Sequence, residues 1–337
     1  MVKIAFFDIE SWQKNYIKKS LKGHTLFFSP DKLTKNSAKK IKDYECVSTF
    51  IYSSIDKTVL DELPKLKYIS TMSTGFNHID LEECQKRNII VSNVPTYGDN
   101  TVAEHTFALI LSLSRKIPES TNKVKQGHFD LKGLRGFDLK DKTLGIIGLG
   151  NIGQHVARIA NGFDMKIIAF DLNKDMKFAK KYNIQFKSLN AVIKNCDILT
   201  LHAPLNKHTT HLINKQNIKL MKKGSLLINT ARGGLVDTQA IIYGLKTKIL
   251  AGVGLDVLED ESFIPNEDVL LSDEFLKKNE KELRLLLEEH ILTERDNVII
   301  TPHNAFNSKG ALIRILDTTI QNLKCFHNKK CINIIKN

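Results

Sequence analysis

The chain reads as an α/β protein built from two doubly wound parallel sheets, and three observations carry that reading. Short apolar strands alternate with amphipathic stretches along nearly the whole length, in two separate runs. A glycine-rich turn, Gly148-Leu149-Gly150-Asn151-Ile152-Gly153, joins a strand to a helix at the head of the second run. The length of 337 residues exceeds what one ordinary core supports, so two domains are expected.

In the first run, strands are predicted over residues 2–8, 25–29, 45–52, 68–71 and 89–92, each bounded by polar or turn residues. Amphipathic stretches at 11–22 and 61–66 supply helices between them. A long helix is expected over 100–126. Its middle, residues 107–113, is apolar on nearly every face, so a domain boundary or subunit interface should cover it. The second run offers strands at 143–147, 166–170, 198–201, 225–229, 250–255 and 298–301, with helical stretches between. A charged amphipathic helix is expected over 273–291 and another over 309–327.

Composition narrows the function classes. Hydrophobic residues make up 42% and charged residues 26%, which suits a folded water-soluble chain. No apolar run is long enough to span a bilayer, and the start reads as a buried strand rather than a signal peptide, so a cytoplasmic protein is expected. The formal charge of +13 comes from scattered lysine pairs beside acids, without a basic tail or an aromatic-rich stripe. That pattern fits a lysine-rich surface and points away from nucleic acid and membrane partners. Five cysteines in no paired spacing suit reduced thiols. His208 and His211 share a segment, but no neighbouring Cys or Asp completes a metal set, and they read as loop histidines.

The glycine turn is informative because of its context. In a strand-to-helix junction, Gly148 makes the tight turn, Gly150 lets a pyrophosphate approach the backbone, and Gly153 lets helix pack on strand. N–H groups at the helix start, with Asn151 and Ile152, then face the phosphates. The next strand ends in Asp171, 18 residues past Gly153. A carboxylate there accepts ribose hydroxyls and repels a 2′-phosphate, which favours NAD over NADP. A Rossmann domain binding NAD is the expectation.

Reduction of a 2-keto acid with NADH needs a cation for the substrate carboxylate, a proton donor for the carbonyl oxygen, and a carboxylate that orients the donor. Arg232, Glu261 and His303 each follow a predicted strand in the second run. Ligands of open α/β sheets bind at the carboxyl ends of strands, so the three are placed to converge. Spacing alone leaves a surface arginine and a loop histidine as equal readings.

Further motifs run in order along the chain: Ser73-Thr74-Gly75-Phe76-Asn77-His78-Ile79-Asp80, Val94-Pro95-Thr96-Tyr97, Val102-Ala103-Glu104-His105 and His202-Ala203-Pro204-Leu205. With the glycine turn and the Arg, Glu and His segments, the chain resembles the D-isomer-specific 2-hydroxyacid dehydrogenase family over almost its whole length, and its D-lactate dehydrogenase branch in particular. The 41 residues between Glu261 and His303 match that branch better than the shorter spacing of glycerate-type members. Asn151 stands where many members carry Arg, and Gly98-Asp99-Asn100-Thr101 replaces a common Ser-Pro pattern.

The resemblance implies that His303 donates the proton, Glu261 partners it and Arg232 anchors the carboxylate. It implies that Thr74 and Gly75 present N–H groups to the same carboxylate, and that Tyr52, Tyr97 and Phe306 close a small pocket over the substrate side chain. Asp256 would hold the nicotinamide amide, with Ala203, Pro204, Thr209, Thr230 and Ala231 lining the cofactor. In fold terms it implies an NAD-binding Rossmann domain, residues 101–304, inserted into a flavodoxin-like substrate-binding domain, residues 1–100 and 305–337. The two would close on each other, and the apolar 107–113 helix would serve the hinge and a homodimer. The expected reaction is pyruvate to D-lactate with NADH. The alternatives are 2-ketoisocaproate, glyoxylate or hydroxypyruvate as substrate, or a non-catalytic NAD-sensing binding protein.

Overall fold

The computed structural model describes residues 1–259, 261, 280–328 and 330–335. The chain forms two compact units, Met1–Tyr97 with Ser308–Asn337, and Gly98–Asn307.

The smaller unit is built on β1 (Lys3–Phe6), β2 (Thr25–Phe28), β3 (Cys46–Thr49), β4 (Tyr68–Thr71) and β5 (Ile90–Ser92). The strands are all parallel in the order β2-β1-β3-β4-β5. β3 and β4 are buried throughout, as apolar and small hydroxyl residues allow in a sheet covered on both faces. The helix Lys309–His327 belongs to this unit: it buries Ile315, Leu316 and Ile320, and Phe326 stacks on Tyr68 with centroids 4.4 Å apart. The order reverses between β1 and β3, which makes their carboxyl ends a crevice.

The larger unit carries β6 (Thr143–Ile147), β7 (Lys166–Phe170), β8 (Gln185–Phe186), β9 (Ile198–Leu201), β10 (Ser225–Asn229), β11 (Leu250–Leu255) and β12 (Val298–Ile300). These are also all parallel, in the order β12-β11-β10-β9-β6-β7-β8, and the order reverses between β6 and β9. Alternate residues feed two cores. Leu144, Ile146 and Ile228 pack on the side of the helix Asn151–Gly162, whereas Ile147, Leu199 and Leu227 pack on the other.

Two expectations about elements are corrected. Residues 61–66 are not helical: a short helix, Lys57–Leu60, ends before them, because Pro64 supplies no N–H to continue it. The single helix over 100–126 is two helices, Asp99–Ser114 and Ile117–Lys125, broken where Lys116 adopts φ 53° and Pro118 opens the second. In the apolar 107–113 segment, Phe107, Leu109, Ile110 and Leu113 join the core formed with Val156 and Ala160, while Ala108 is exposed and Leu111 and Ser112 are half-buried. β8, two residues long, carries no periodic signal that a sequence reading detects. Of the helix expected over 273–291, residues 273–279 lie outside the described residues, and Glu280–Thr293 is helical. Among the described residues no helix is long and apolar enough to cross a membrane.

Candidate active site

The turn after β6 is shaped by its glycines in three different ways. Gly148 has φ 91°, and a Cβ there would lie 2.6 Å from the His202 carbonyl carbon. Gly153 sits one helical turn later, where a Cβ would lie 2.1 Å from the Gly148 carbonyl oxygen, so the helix packs on the turn without room for a side chain. Gly150 is the opposite case, because a Cβ there would meet nothing within 4 Å. Steric demand within the chain does not explain this glycine; a molecule that must approach the backbone does. The helix Asn151–Gly162 begins here with no side-chain cap and no acid in its first turn. At the end of β7 the Asp171 carboxylate accepts the N–H of Leu149 at 2.5 Å and that of Asn173 at 2.7 Å, fixing the turn and placing an anion beside it.

The loops after β11 and β12 meet around Asp256, which is 1% exposed. Its Oδ1 accepts the Thr301 hydroxyl at 2.5 Å and the Asn304 N–H at 3.0 Å, and its Oδ2 accepts the Ala305 N–H at 2.9 Å. With the Thr301 proton committed to Asp256, His105 Nε2 donates to the Thr301 oxygen at 3.0 Å. This cage holds the turn on which His303 stands. His303 adopts φ 50°, a left-handed backbone uncommon outside glycine, and its N–H donates to the Asp256 carbonyl at 2.9 Å. From that turn the imidazole Nδ1 donates to Glu261 Oε2 at 2.7 Å. The bond fixes the ring and leaves Nε2 as the nitrogen able to exchange a proton.

Arg232 leaves the end of β10 in extended conformation with an exposed side chain, and its Nη1 donates to the Ala231 carbonyl at 2.7 Å. Asn229 builds the loop: its Nδ2 donates to the Arg232 carbonyl at 2.9 Å and its Oδ1 accepts the Ala231 N–H at 3.1 Å. Thr230 shares a hydroxyl bond of 2.9 Å with Thr106. A Cβ on Gly233 would lie 1.7 Å from the Leu258 carbonyl oxygen, so the Arg232 loop and the loop leading to Glu261 touch backbone to backbone. After β9, His202 is half-buried and Thr209 folds the next loop back, its hydroxyl donating to the Pro204 carbonyl at 2.7 Å. Burial pulls the His202 imidazole down to about 3, so it is neutral.

In the smaller unit, Tyr52 lies past β3, 65% exposed, with its ring edge-on to Phe50 at 5.4 Å. Asp8, past β1, holds this loop: its Oδ2 accepts the Phe50 N–H at 3.0 Å and the Ser53 hydroxyl at 2.7 Å. Burial raises the Asp8 carboxyl above its ordinary range. Thr74 and Gly75 follow β4. The Thr74 hydroxyl donates to the Val94 carbonyl at 2.8 Å, and Ser73 donates to the Gly75 carbonyl at 2.6 Å. Tyr97 is half-buried, its carbonyl accepting from Arg314 Nε at 2.6 Å. Phe306, in the larger unit, is half-buried beside Gly98.

With this geometry in view, the likeness to known proteins is specific. The profile described as D-isomer specific 2-hydroxyacid dehydrogenase, NAD binding domain, matches residues 107–305. An aromatic 2-oxoacid reductase of Clostridium sporogenes is 38% identical over 96% of this chain and 94% of its own. The D-lactate dehydrogenase of Escherichia coli is 33% identical over 96% of both chains. The crystal structure of D-lactate dehydrogenase from Aquifex aeolicus, complexed with NAD and lactic acid, superposes with a TM-score of 0.80 at 35% identity, covering 97% of this chain and 96% of that one.

The chain belongs to the D-isomer specific 2-hydroxyacid dehydrogenase family. The cofactor of this family's nucleotide domain is NAD, and the turn after β6 fits it: an open approach at Gly150, an uncapped helix start and a carboxylate at the next strand end. Within this dehydrogenase, Arg232, Glu261 and His303 all lie in the larger unit, on three neighbouring strand-end loops. Reading the sequence for chemistry missed the residues that hold those loops. His105 was read only as part of a motif and not for its bond to Thr301, and Glu259 and His211 are bonded to each other rather than idle in their loops. A buried polar residue announces itself only through the partners that the fold brings to it.

Proposed function

We propose that the protein reduces a small 2-keto acid to the D-2-hydroxy acid, with pyruvate and D-lactate as its preferred pair. The observation that carries this is the His303 Nδ1 to Glu261 Oε2 bond of 2.7 Å on a turn caged by Asp256, beside the loop of Arg232. NADH, when bound, supplies the hydride for the keto carbon. Gly148, Gly150, Asn151, Ile152, Gly153 and Asp171 would hold its pyrophosphate and ribose, and Ala203, Pro204, Thr209, Thr230, Ala231 and Asp256 the remainder. Arg232 pairs with the substrate carboxylate, joined by the N–H groups of Thr74 and Gly75. His303 delivers the proton to the carbonyl oxygen from Nε2, and Glu261 keeps the ring turned for that delivery. Tyr52, Tyr97 and Phe306 border the substrate side chain. The 41-residue interval between Glu261 and His303 supports pyruvate.

A second substrate has an observation of its own. The likeness to an aromatic 2-oxoacid reductase, together with the exposed ring of Tyr52, favours an aryl-pyruvate. Loss of NADH absorbance with pyruvate, 2-ketoisocaproate, glyoxylate, hydroxypyruvate and phenylpyruvate, followed by chiral analysis of the product, separates the readings. Pyruvate should give the highest kcat/KM and D-lactate as product. Preference for phenylpyruvate would move the assignment to the aromatic acid, and tight NADH binding without turnover of any member would leave an NAD sensor.

The working form would be a cytoplasmic homodimer. Phe129 and Leu131 are 94% and 87% exposed in the segment after the helix Ile117–Lys125, and a second copy is the natural cover for them. Sedimentation equilibrium should return twice the chain mass, and Phe129→Ser with Leu131→Ser should return the monomer. A monomeric native protein removes this reading.

A further inference from the structure

We infer that Glu289 is a positioning residue for the reaction, acting through Glu259 to hold Glu261 against His303. The inference rests on the proposed role of Glu261 and extends it to a residue with no place in that chemistry.

Glu261 is itself 42% exposed in its side chain, so burial does not set its position. Two residues earlier the chain is held from every side. Glu289, on the helix Glu280–Thr293, is 1% exposed, and its Oε1 accepts the Glu259 N–H at 3.0 Å. The Glu259 carboxylate spans two further elements. Its Oε2 accepts the N–H and hydroxyl of Thr238, at 3.2 and 2.9 Å, at the start of the helix Thr238–Lys246. Its Oε1 accepts from His211 Nε2, and the His211 N–H donates to the Gly234 carbonyl at 2.8 Å. Gly234 lies two residues past Arg232, and Gly233 abuts the Leu258 carbonyl.

These bonds join the Arg232 loop, the Glu261 loop and two helices through two carboxylates, Glu289 buried and Glu259 half-buried. Two residues of chain reach at most about 7 Å, so fixing residue 259 confines Glu261 to a small volume. Without the Glu289 acceptor, the Glu259 N–H loses its partner, and the 257–259 backbone is free to relax away. The predicted loss therefore lies in the alignment of Glu261 with His303: Asp256, the nearest residue assigned to the cofactor, keeps its own bonds to Thr301, Asn304 and Ala305, and the glycine turn after β6 lies elsewhere in the sheet.

The test is a double-mutant cycle on kcat in the full-length protein with NADH and the best 2-keto acid substrate. Glu289→Ala should lower kcat on the order of tenfold, with the NADH Kd within about twofold of the parent. Glu289→Gln, which keeps a carbonyl acceptor, should recover kcat to within about threefold. In a Glu261→Gln background, Glu289→Ala should cost less than about twofold, because the group it positions is gone. A role in general stability would lower the melting temperature and act additively in the cycle. Additivity, or an unchanged kcat in Glu289→Ala, overturns the inference. Should Glu289→Ala not fold, Thr238→Val removes the hydroxyl donor to Glu259 and takes its place in the cycle, where additivity or an unchanged kcat again overturns the inference. A Glu261→Gln enzyme that keeps the parent kcat refutes the proposed role of Glu261 first, and the inference falls with it.

Discussion

The two sheets solve the same problem at their strand ends with different materials. Both are doubly wound, both reverse their strand order once, and both carry candidate site residues past the carboxyl ends of their strands. In the seven-stranded sheet the loops are held by carboxylates that use both oxygens. Asp256 takes three donors and Glu259 bridges Thr238 and His211. In the five-stranded sheet hydroxyls do much of the holding, through Ser53, Thr71, Ser73 and Thr74, and Asp8, the carboxylate past β1, accepts on a single oxygen. A site that aligns a proton donor needs angles fixed to within tens of degrees, and ionic hydrogen bonds to backbone N–H groups supply that.

Replacing each aspartate by asparagine sharpens this contrast and carries the larger expected effect. Asp256 receives donors on both oxygens, so an amide NH₂ in its place must face a donor whichever way it is turned. Asp256→Asn should cost about 2–4 kcal/mol of stability and lower kcat by roughly ten- to a hundredfold, as the His303 turn shifts. Asp8 receives Phe50 and Ser53 on Oδ2 alone, and a single amide oxygen can keep both. Asp8→Asn should stay within about 1 kcal/mol of the parent and leave kcat unchanged. Urea unfolding and steady-state rates measure both. Equal losses at the two positions would break the contrast.

The same difference explains what was legible in the sequence. β4, β6, β7, β9, β10 and β11 fall where apolar runs bounded by turn residues place them, because a buried parallel strand requires such a run. The glycine turn was legible because its residues are dictated by close approach, and each glycine meets the constraint expected of it. Arg232, Glu261 and His303 stand on neighbouring strand-end loops, as their places after predicted strands implied, while the roles proposed for them came from the resemblance and not from spacing. The break at Lys116 was not, since nothing in the apolar pattern from Phe107 to Leu113 marks a residue about to turn left-handed, although Pro118 was the available signal. The holding roles of His105, Asp8 and Glu289 were silent for a deeper reason. Each acts through a partner far along the chain, Thr301, Phe50 and Glu259 respectively, and only the folded sheet brings them together.

A pair of half-buried histidines gives the smallest effect and tests whether the larger unit is also the more rigidly desolvated one. His202 lies at the β6/β9 reversal with Nε2 2.9 Å from the Thr200 hydroxyl oxygen, and burial pulls it down to about 3. His78, in the smaller unit, is lowered by burial too, with Nε2 3.1 Å from the Thr71 hydroxyl oxygen. In both cases the folded state refuses a proton that the unfolded chain accepts below its ordinary value of 6.5. The unfolded state therefore binds more protons there, and stability falls as pH drops through the window from 6.5 toward 3. For His202 the loss should reach about 2 kcal/mol by about pH 5, at 1.36 kcal/mol per unit. His202→Gln should flatten that slope, and His78→Gln should flatten it less. Urea midpoints between neutral and about pH 5 read the slopes. If His78→Gln removes more of the acid sensitivity than His202→Gln, desolvation is no deeper in the seven-stranded unit, and its carboxylate clamps work in a wetter setting than their burial implies.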